Sequence, residues 1–214
     1  HTRYGTVTGV QTCALPILRV HFQQLAQDAT TEPARLRFLL LWARSRTDQH
    51  QHEPALALLR EAEDLAMRLD DQVELGAART GLAAVVLDRG ELSRAIAFLE
   101  QVHASLDARA QSADAGRARA IAAEAHALHS RTLLYQGKPA DGIPHIQAAL
   151  RFLPTDAIDL RCHYEIDLAR LEALLHNYPG ALKILTRVEG EKQAQHLPRV
   201  RIQIGWSSQH QSSR

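Results

Sequence analysis

Aromatic residues are scarce in this 214-residue chain, with four Phe, four Tyr and two Trp making 5% of the composition. Sheet proteins draw on aromatic and β-branched side chains, so this poverty points away from a β fold. Cysteine appears only as Cys13 and Cys162. An excess of one charge is also missing: 25 Lys and Arg face 24 Asp and Glu, for a net charge of +1. That balance disfavours a dedicated nucleic-acid or membrane-surface binder. No run of uncharged apolar residues reaches the length a transmembrane helix needs. The phosphate-binding patterns G-x-x-x-x-G-K-[ST] and G-x-G-x-x-G are absent, as are G-x-S-x-G and H-E-x-x-H.

Residues 1–17, HTRYGTVTGVQTCALPI, share nothing with the chain that follows. Val7 to Ile17 resemble the in-frame translation of a sequencing-library adapter, and His1-Thr2-Arg3 its upstream primer. Such a segment is set aside from fold reasoning. Without it Cys162 is the only cysteine, so no intrachain disulfide is expected and a reducing compartment, the cytoplasm, fits. The expected organisation is an adapter-derived segment at 1–17, a helical repeat domain at 18–197 and an irregular tail at 198–214 that includes Trp206.

From Leu18 onward Ala, Leu, Arg, Glu and Gln dominate, all good helix formers. Apolar residues recur at spacings of three and four, as in Ala55, Leu58, Leu59, Ala62, Leu65, Ala66 and Leu69. Breaks are read at Thr30–Pro33, His50–Pro54, Asp70-Asp71, Gly90, Gly137–Pro139, Pro154-Thr155 and Asn177–Gly180. Asp71 with Glu74 spells a capping box. Pro33, Pro54, Pro139 and Pro179 stand where first-turn prolines belong.

A fixed-period pattern overlies these helices. The small residues Ala55, Ala95, Gly142 and Ala181 serve as anchors, 40, 47 and 39 residues apart. Twelve residues before each stands another small residue: Ala43, Ala83, Ser130 and Ala169. Aliphatic or small residues follow each anchor at one, four and seven positions, and a turn at His50, Gly90, Gly137 or His176 precedes it by five. Facing small residues let two helix backbones approach closely, and a single pair cannot bury its apolar face alone, so neighbouring pairs must stack. The expected fold is all-α, about four antiparallel helix pairs in a solenoid; a globular bundle of the same helices is the competing architecture.

The pattern resembles the tetratricopeptide repeat over about Glu32 to Leu197. It is clearest from Leu82-Ala83 through Gly90-Glu91-Leu92-Ser93-Arg94-Ala95-Ile96 to Val102, and again from Gly137 to Ala149 with Pro154 closing the repeat. His50 and His176 replace the turn glycine, and Trp42 and His129 replace the usual leucine before the first small residue. Repeats near 40 residues resemble the longer-helix kind found in bacterial signalling proteins. Leu18 to Ala29 reads as the second helix of a preceding repeat. The resemblance implies a right-handed superhelix whose first helices line a concave groove, and a non-catalytic scaffold binding a peptide or partner domain there. The alternative it implies is a sensory or regulatory segment of a larger bacterial signalling protein, such as a diguanylate cyclase or an ATP-dependent transcription regulator. A repeat truncated at one end and an irregular tail at the other imply an uncapped apolar flank and some self-association.

Site residues are few. Arg44, Arg131 and Arg170 occupy one repeat position, with Ala84 at the fourth. On the resemblance they face the groove and form a basic ladder for an acidic peptide, since Arg presents a bidentate fork. The competing reading is that Asp48 and Asp167, one helical turn away, neutralise Arg44 and Arg170. The family's carboxylate-clamp pattern of Lys and Asn is missing. Cys162-His163 is no catalytic pair, because adjacent helical side chains diverge by about 100°. His126 and His129 lie three apart with Glu124 nearby, but two histidines fall short of a zinc set. No catalytic, cofactor or metal site is expected, and the histidines are read as turn and surface residues.

Overall fold

The computed structural model describes residues 31–112 and 115–194, so residues 1–17, the Leu18–Ala29 helix expectation and the 198–214 tail lie outside the described part. All regular structure there is helical: α1 (Glu32–Asp48), α2 (His52–Arg68), α3 (Gln72–Asp88), α4 (Leu92–Ala110), α5 (Gly116–Tyr135), α6 (Pro139–Phe152), α7 (Ile158–Leu174) and α8 (Tyr178–Ala194). Each helix packs against the next, and α1 also touches α3 and α3 touches α5. First helices therefore stack on first helices, as an α-solenoid of four antiparallel pairs requires. The competing single-core bundle is overturned by this contact order, in which the core divides into three successive clusters along the stack.

Local sequence explains the punctuation. Helices α1, α3, α5 and α7 are followed by His50, Gly90, Gly137 and His176, all at positive φ, and α2 by Asp70. In each case the following amide donates back five residues along the chain, as Lys138 N does to Leu133 O at 2.9 Å and Gln51 N to Arg46 O at 2.9 Å. This is the Schellman closure, which satisfies the last carbonyls and reverses the chain in a few residues. Histidine at two of the four first-helix ends thus does the job of the turn glycine. Thr31 caps α1, accepting from Ala34 N, and Pro33 sits in the first turn.

Two readings need correction. Asp71 caps α3 by accepting from Val73 N and Glu74 N at 3.1 and 3.0 Å. Glu74 does not return the bond; its buried carboxylate takes Arg117 instead, a charged partner that a capping arm cannot match. The chain also breaks after Ala110, before α5 begins at Gly116, where no break was read. The stretch holds Ser112, Asp114 and Gly116, residue types that favour turns, among alanines that favour helix.

The small-residue register holds throughout. Ala43, Ala55, Ala83 and Ala95 are fully buried, and Ala169 and Ala181 nearly so. A Cβ on Gly142 would lie 3.1 Å from Ser130 O and 3.2 Å from its Oγ, so this pair touches with no room to spare. The positions four and seven beyond the first three anchors (Leu59, Ala62; Leu99, Val102; Ile146, Ala149) are all buried.

Candidate functional site

The first helices α1, α3 and α5 bound a groove of about 600 Å³. Its floor is apolar, with Leu40, Ala77, Ala84 and Ile121. Gly81 lets Leu59 of α2 reach the floor, since a Cβ there would stand 2.6 Å from Leu59 Cδ2. Leu41 borders the groove and is 54% exposed. Arg37, Arg44 and Arg117 supply its positive charge, Asp48 and Glu124 its negative charge.

Glu74 organises one side of this surface. Its buried carboxylate receives Arg117 Nε and Nη2 at 3.1 and 2.8 Å, with Arg37 Nε at 3.8 Å. One carboxylate on α3 thereby links α1 to α5. The Glu74 hydrogen bond also raises the Arg117 pKa above its ordinary value.

Arg44 lines the groove opposite Glu124, 3.9 Å away, with both side chains more than half exposed. Its partner is thus across the groove on α5 rather than Asp48 on its own helix. Ala84 lines the same groove. Arg131 and Arg170 line a second, narrow recess between α5 and α7. Both answer Asp167, at 3.6 and 3.1 Å. All three arginines stand on first helices, and each has an acid in reach. Cys162 is buried while His163 is exposed, so the two adjacent side chains diverge.

A second cluster lies on the other side of α5. His103 of α4, His126 and His129 of α5 and His145 of α6 converge, with ring centroids of the His103–His126 and His129–His145 pairs both 3.9 Å apart. His103 Nε2 lies 3.1 Å from His129 Nδ1, and His126 Nδ1 lies 3.1 Å from His145 Nδ1. Asp107 joins through Oδ2, 3.2 Å from His126 Nε2. Phe152 stacks on His126 at 5.7 Å. His126 and His129 are buried, contrary to the reading of the histidines as turn and surface residues. Glu124, the acid read as their neighbour, faces Arg44 instead.

Burial controls the protonation of this cluster. It pushes His103 down to about 3, helped by the neighbouring imidazole of His126 and opposed by Asp107. His126 and His129 are pushed down to about 4, by burial first and by His145 second. His145 is lowered by burial and Asp107 raised by it. Buried imidazoles shed their protons because the charged form loses its hydration. At neutral pH the four rings are therefore neutral.

Two of these histidines were in view in the sequence and two were not. His103 and His145 are 23 residues before and 19 after His126, and only the packing of α4 and α6 on α5 joins them. One signal was available: His129 holds the position where the repeat places a buried leucine.

No family model matches the chain, and no curated protein matches it. Solved structures share its fold. Kinesin light chain TPR-like repeats from Podosopora anserina superpose with a TM-score of 0.61 at 19% identity, covering 86% of this chain and 90% of theirs. BtubC (BKLC) from P. vanneervenii gives 0.65 at 15% identity, covering 91% and 78%. A double mutant of MamA RS-1 gives 0.52 at 20% identity, covering 83% and 96%. The chain is thus a TPR-like α-solenoid. No helix among the described residues is long and apolar enough to cross a membrane.

Proposed function

We propose that the chain is a non-catalytic interaction scaffold that holds a peptide or partner segment along the groove of α1, α3 and α5. The observation that carries this reading is the groove itself: an apolar floor with exposed Leu41 beside it, and Arg37 and Arg44 along it, each only loosely paired. TPR-like solenoid neighbours are in keeping with a protein partner.

Acidic side chains on the partner are the matching chemistry. Arg44 is held by Glu124 at 3.9 Å and mostly exposed, so an incoming carboxylate can replace that pair with a bidentate contact. Arg131 and Arg170 share a single Asp167, which leaves positive charge in excess in the second recess. Since each arginine already has an acid nearby, the binding is modest and salt-sensitive. Raising salt from about 0.1 M to 1 M shortens the screening length from about 10 Å to about 3 Å.

The test is selection of peptides from a random library on the full chain, followed by calorimetric titration at both salt levels. Acid-bearing peptides are expected, weakened by high salt, by R131A or R170A, and by the Lys variants at the same positions. Hits that bind equally well to the R44A/R131A/R170A variant, shown folded by circular dichroism, would remove the arginines from the binding surface.

A further inference from the structure

The histidine cluster between the second and third helix pairs takes no part in the groove. We propose that His103, His126 and His145 together bind one divalent late transition-metal ion, zinc above all, with His129 and Asp107 orienting the ligand rings.

Convergence is the first argument. One ligand atom from each of the three histidines lies within 4.8 Å of the others. Tetrahedral zinc with nitrogen ligands at about 2.0–2.1 Å holds them about 3.3 Å apart. His126 Nδ1 and His145 Nδ1, at 3.1 Å, already stand at that separation. To point its lone pair at the ion, His103 must turn its ring about the Cβ–Cγ bond, out of its stack on His126.

Tautomer control is the second. Metal-binding imidazoles use one nitrogen for the ion and give the other N–H to an acceptor. Asp107 Oδ2 accepts from His126 Nε2–H at 3.2 Å, which leaves the Nδ1 lone pair pointing at His145. In the tautomer that gives Nε2–H to His129 Nδ1, 3.1 Å away, His103 keeps its own Nδ1 as a lone pair. That Nδ1 is buried with no hydrogen-bond partner among the described residues, as is Asp107 Oδ1, 3.7 Å from it. Without an ion, His145 Nδ1–H donates to His126 Nδ1. On binding, that proton moves to His145 Nε2, and the cation takes its place between the two Nδ1 atoms.

The chemistry of the set decides the class of ion. Neutral imidazole nitrogens suit zinc, nickel, cobalt and copper, whereas calcium and magnesium demand oxygen. Burial keeps the rings unprotonated, so the ion meets little competition from protons at neutral pH. A charge of +2 is also placed beside the carboxylate of Asp107. Neither His103 nor His145 is fully buried, which leaves a way in from solvent. Since His103 belongs to α4 and the other two to α5 and α6, the ion fastens one helix pair to the next across the connection that begins after Ala110.

The experiment uses the full chain, stripped with a chelator and titrated calorimetrically with zinc chloride. One ion per chain is expected, with a rise in Tm that the chelator reverses. Cobalt in place of zinc should give the visible absorption of a nitrogen-rich site of low symmetry. H103A and H145A should each weaken zinc binding at least about tenfold. D107N should weaken it about 10- to 100-fold while keeping the cobalt spectrum, as a positioning residue does. H50A/H176A should bind as the unaltered chain does. Because H103A alters a more buried ring and can unfold the chain, H145A and the cobalt spectrum of the unaltered chain decide the matter. Zinc binding that H145A leaves unchanged, or that H50A/H176A abolishes, would overturn the proposal, as would an unaltered chain that takes up no zinc.

Discussion

At the scale of single residues, the left-handed turns show how one dihedral angle sets the chain's direction. His50 sits at φ 55° and His176 at φ 63°, where Gly90 and Gly137 hold φ 78° and 75°. A Cβ at either glycine would meet nothing within 4 Å, so a substitution there is resisted by the backbone alone. Gly90→Ala should therefore cost about 1–2 kcal/mol, the penalty an L residue meets in that region. His50→Gly runs the other way, and its gain is trimmed by the extra freedom glycine brings to the unfolded chain, leaving about 0.5–1 kcal/mol. Urea unfolding of the two variants checks both signs. His176→Gly should gain less, because His176 Nδ1 lies 3.0 Å from the Tyr178 hydroxyl and that contact would be lost.

At the scale of the helix, the small-residue register decides how closely partners approach. Ala95 is fully buried on α4, in the same core cluster as Leu82 and Val86 of α3. Ala95→Leu should destabilise by about 1–3 kcal/mol through overpacking. Ala97, exposed two residues on, is the control, and Ala97→Leu should stay within about 0.5 kcal/mol. Equal unfolding midpoints for the two variants would show that Ala95 does not set the α3–α4 distance. The register was legible because it depends on which residue is small, and on a spacing that survives across repeats. The end of α4 was passed over, although Ser112, Asp114 and Gly116 are turn-favouring residues, because they stand among alanines and arginines that continue the helical composition.

Across the whole molecule, buried charge ties the stack together. Glu74 on α3 holds Arg117 on α5 by two hydrogen bonds and Arg37 on α1 more loosely. Arg117→Ala leaves a buried carboxylate with only the 3.8 Å contact to Arg37, and should cost about 1–3 kcal/mol. In a solenoid each pair leans mainly on its neighbours, so the loss should stay local. Hydrogen exchange should accelerate in α1, α3 and α5 and remain as before in α8. Faster exchange in α8 as well would mean that the stack unfolds as one unit.

Helix content, the four pairs, their turns and the facing small residues were determined by the sequence alone. Each rests on interactions within one or two helical turns: the 3.6-residue period, a left-handed residue at a helix end, a small side chain opposite another. The face of Leu56, Leu59 and Ala62 follows from such spacing and is buried as expected. The arginine positions were legible too, but not their partners, for Arg44 pairs with Glu124, 80 residues along the chain, rather than with Asp48. The tertiary structure decided that pairing, the clasp of Glu74 by Arg117, and the meeting of His103, His126, His129 and His145 with Asp107. Those contacts join side chains on different helices, and whether they meet depends on how far each helix is rotated about its axis when the pairs stack. A period in the sequence gives the face of a helix, but only the packed neighbour determines which groups on that face touch.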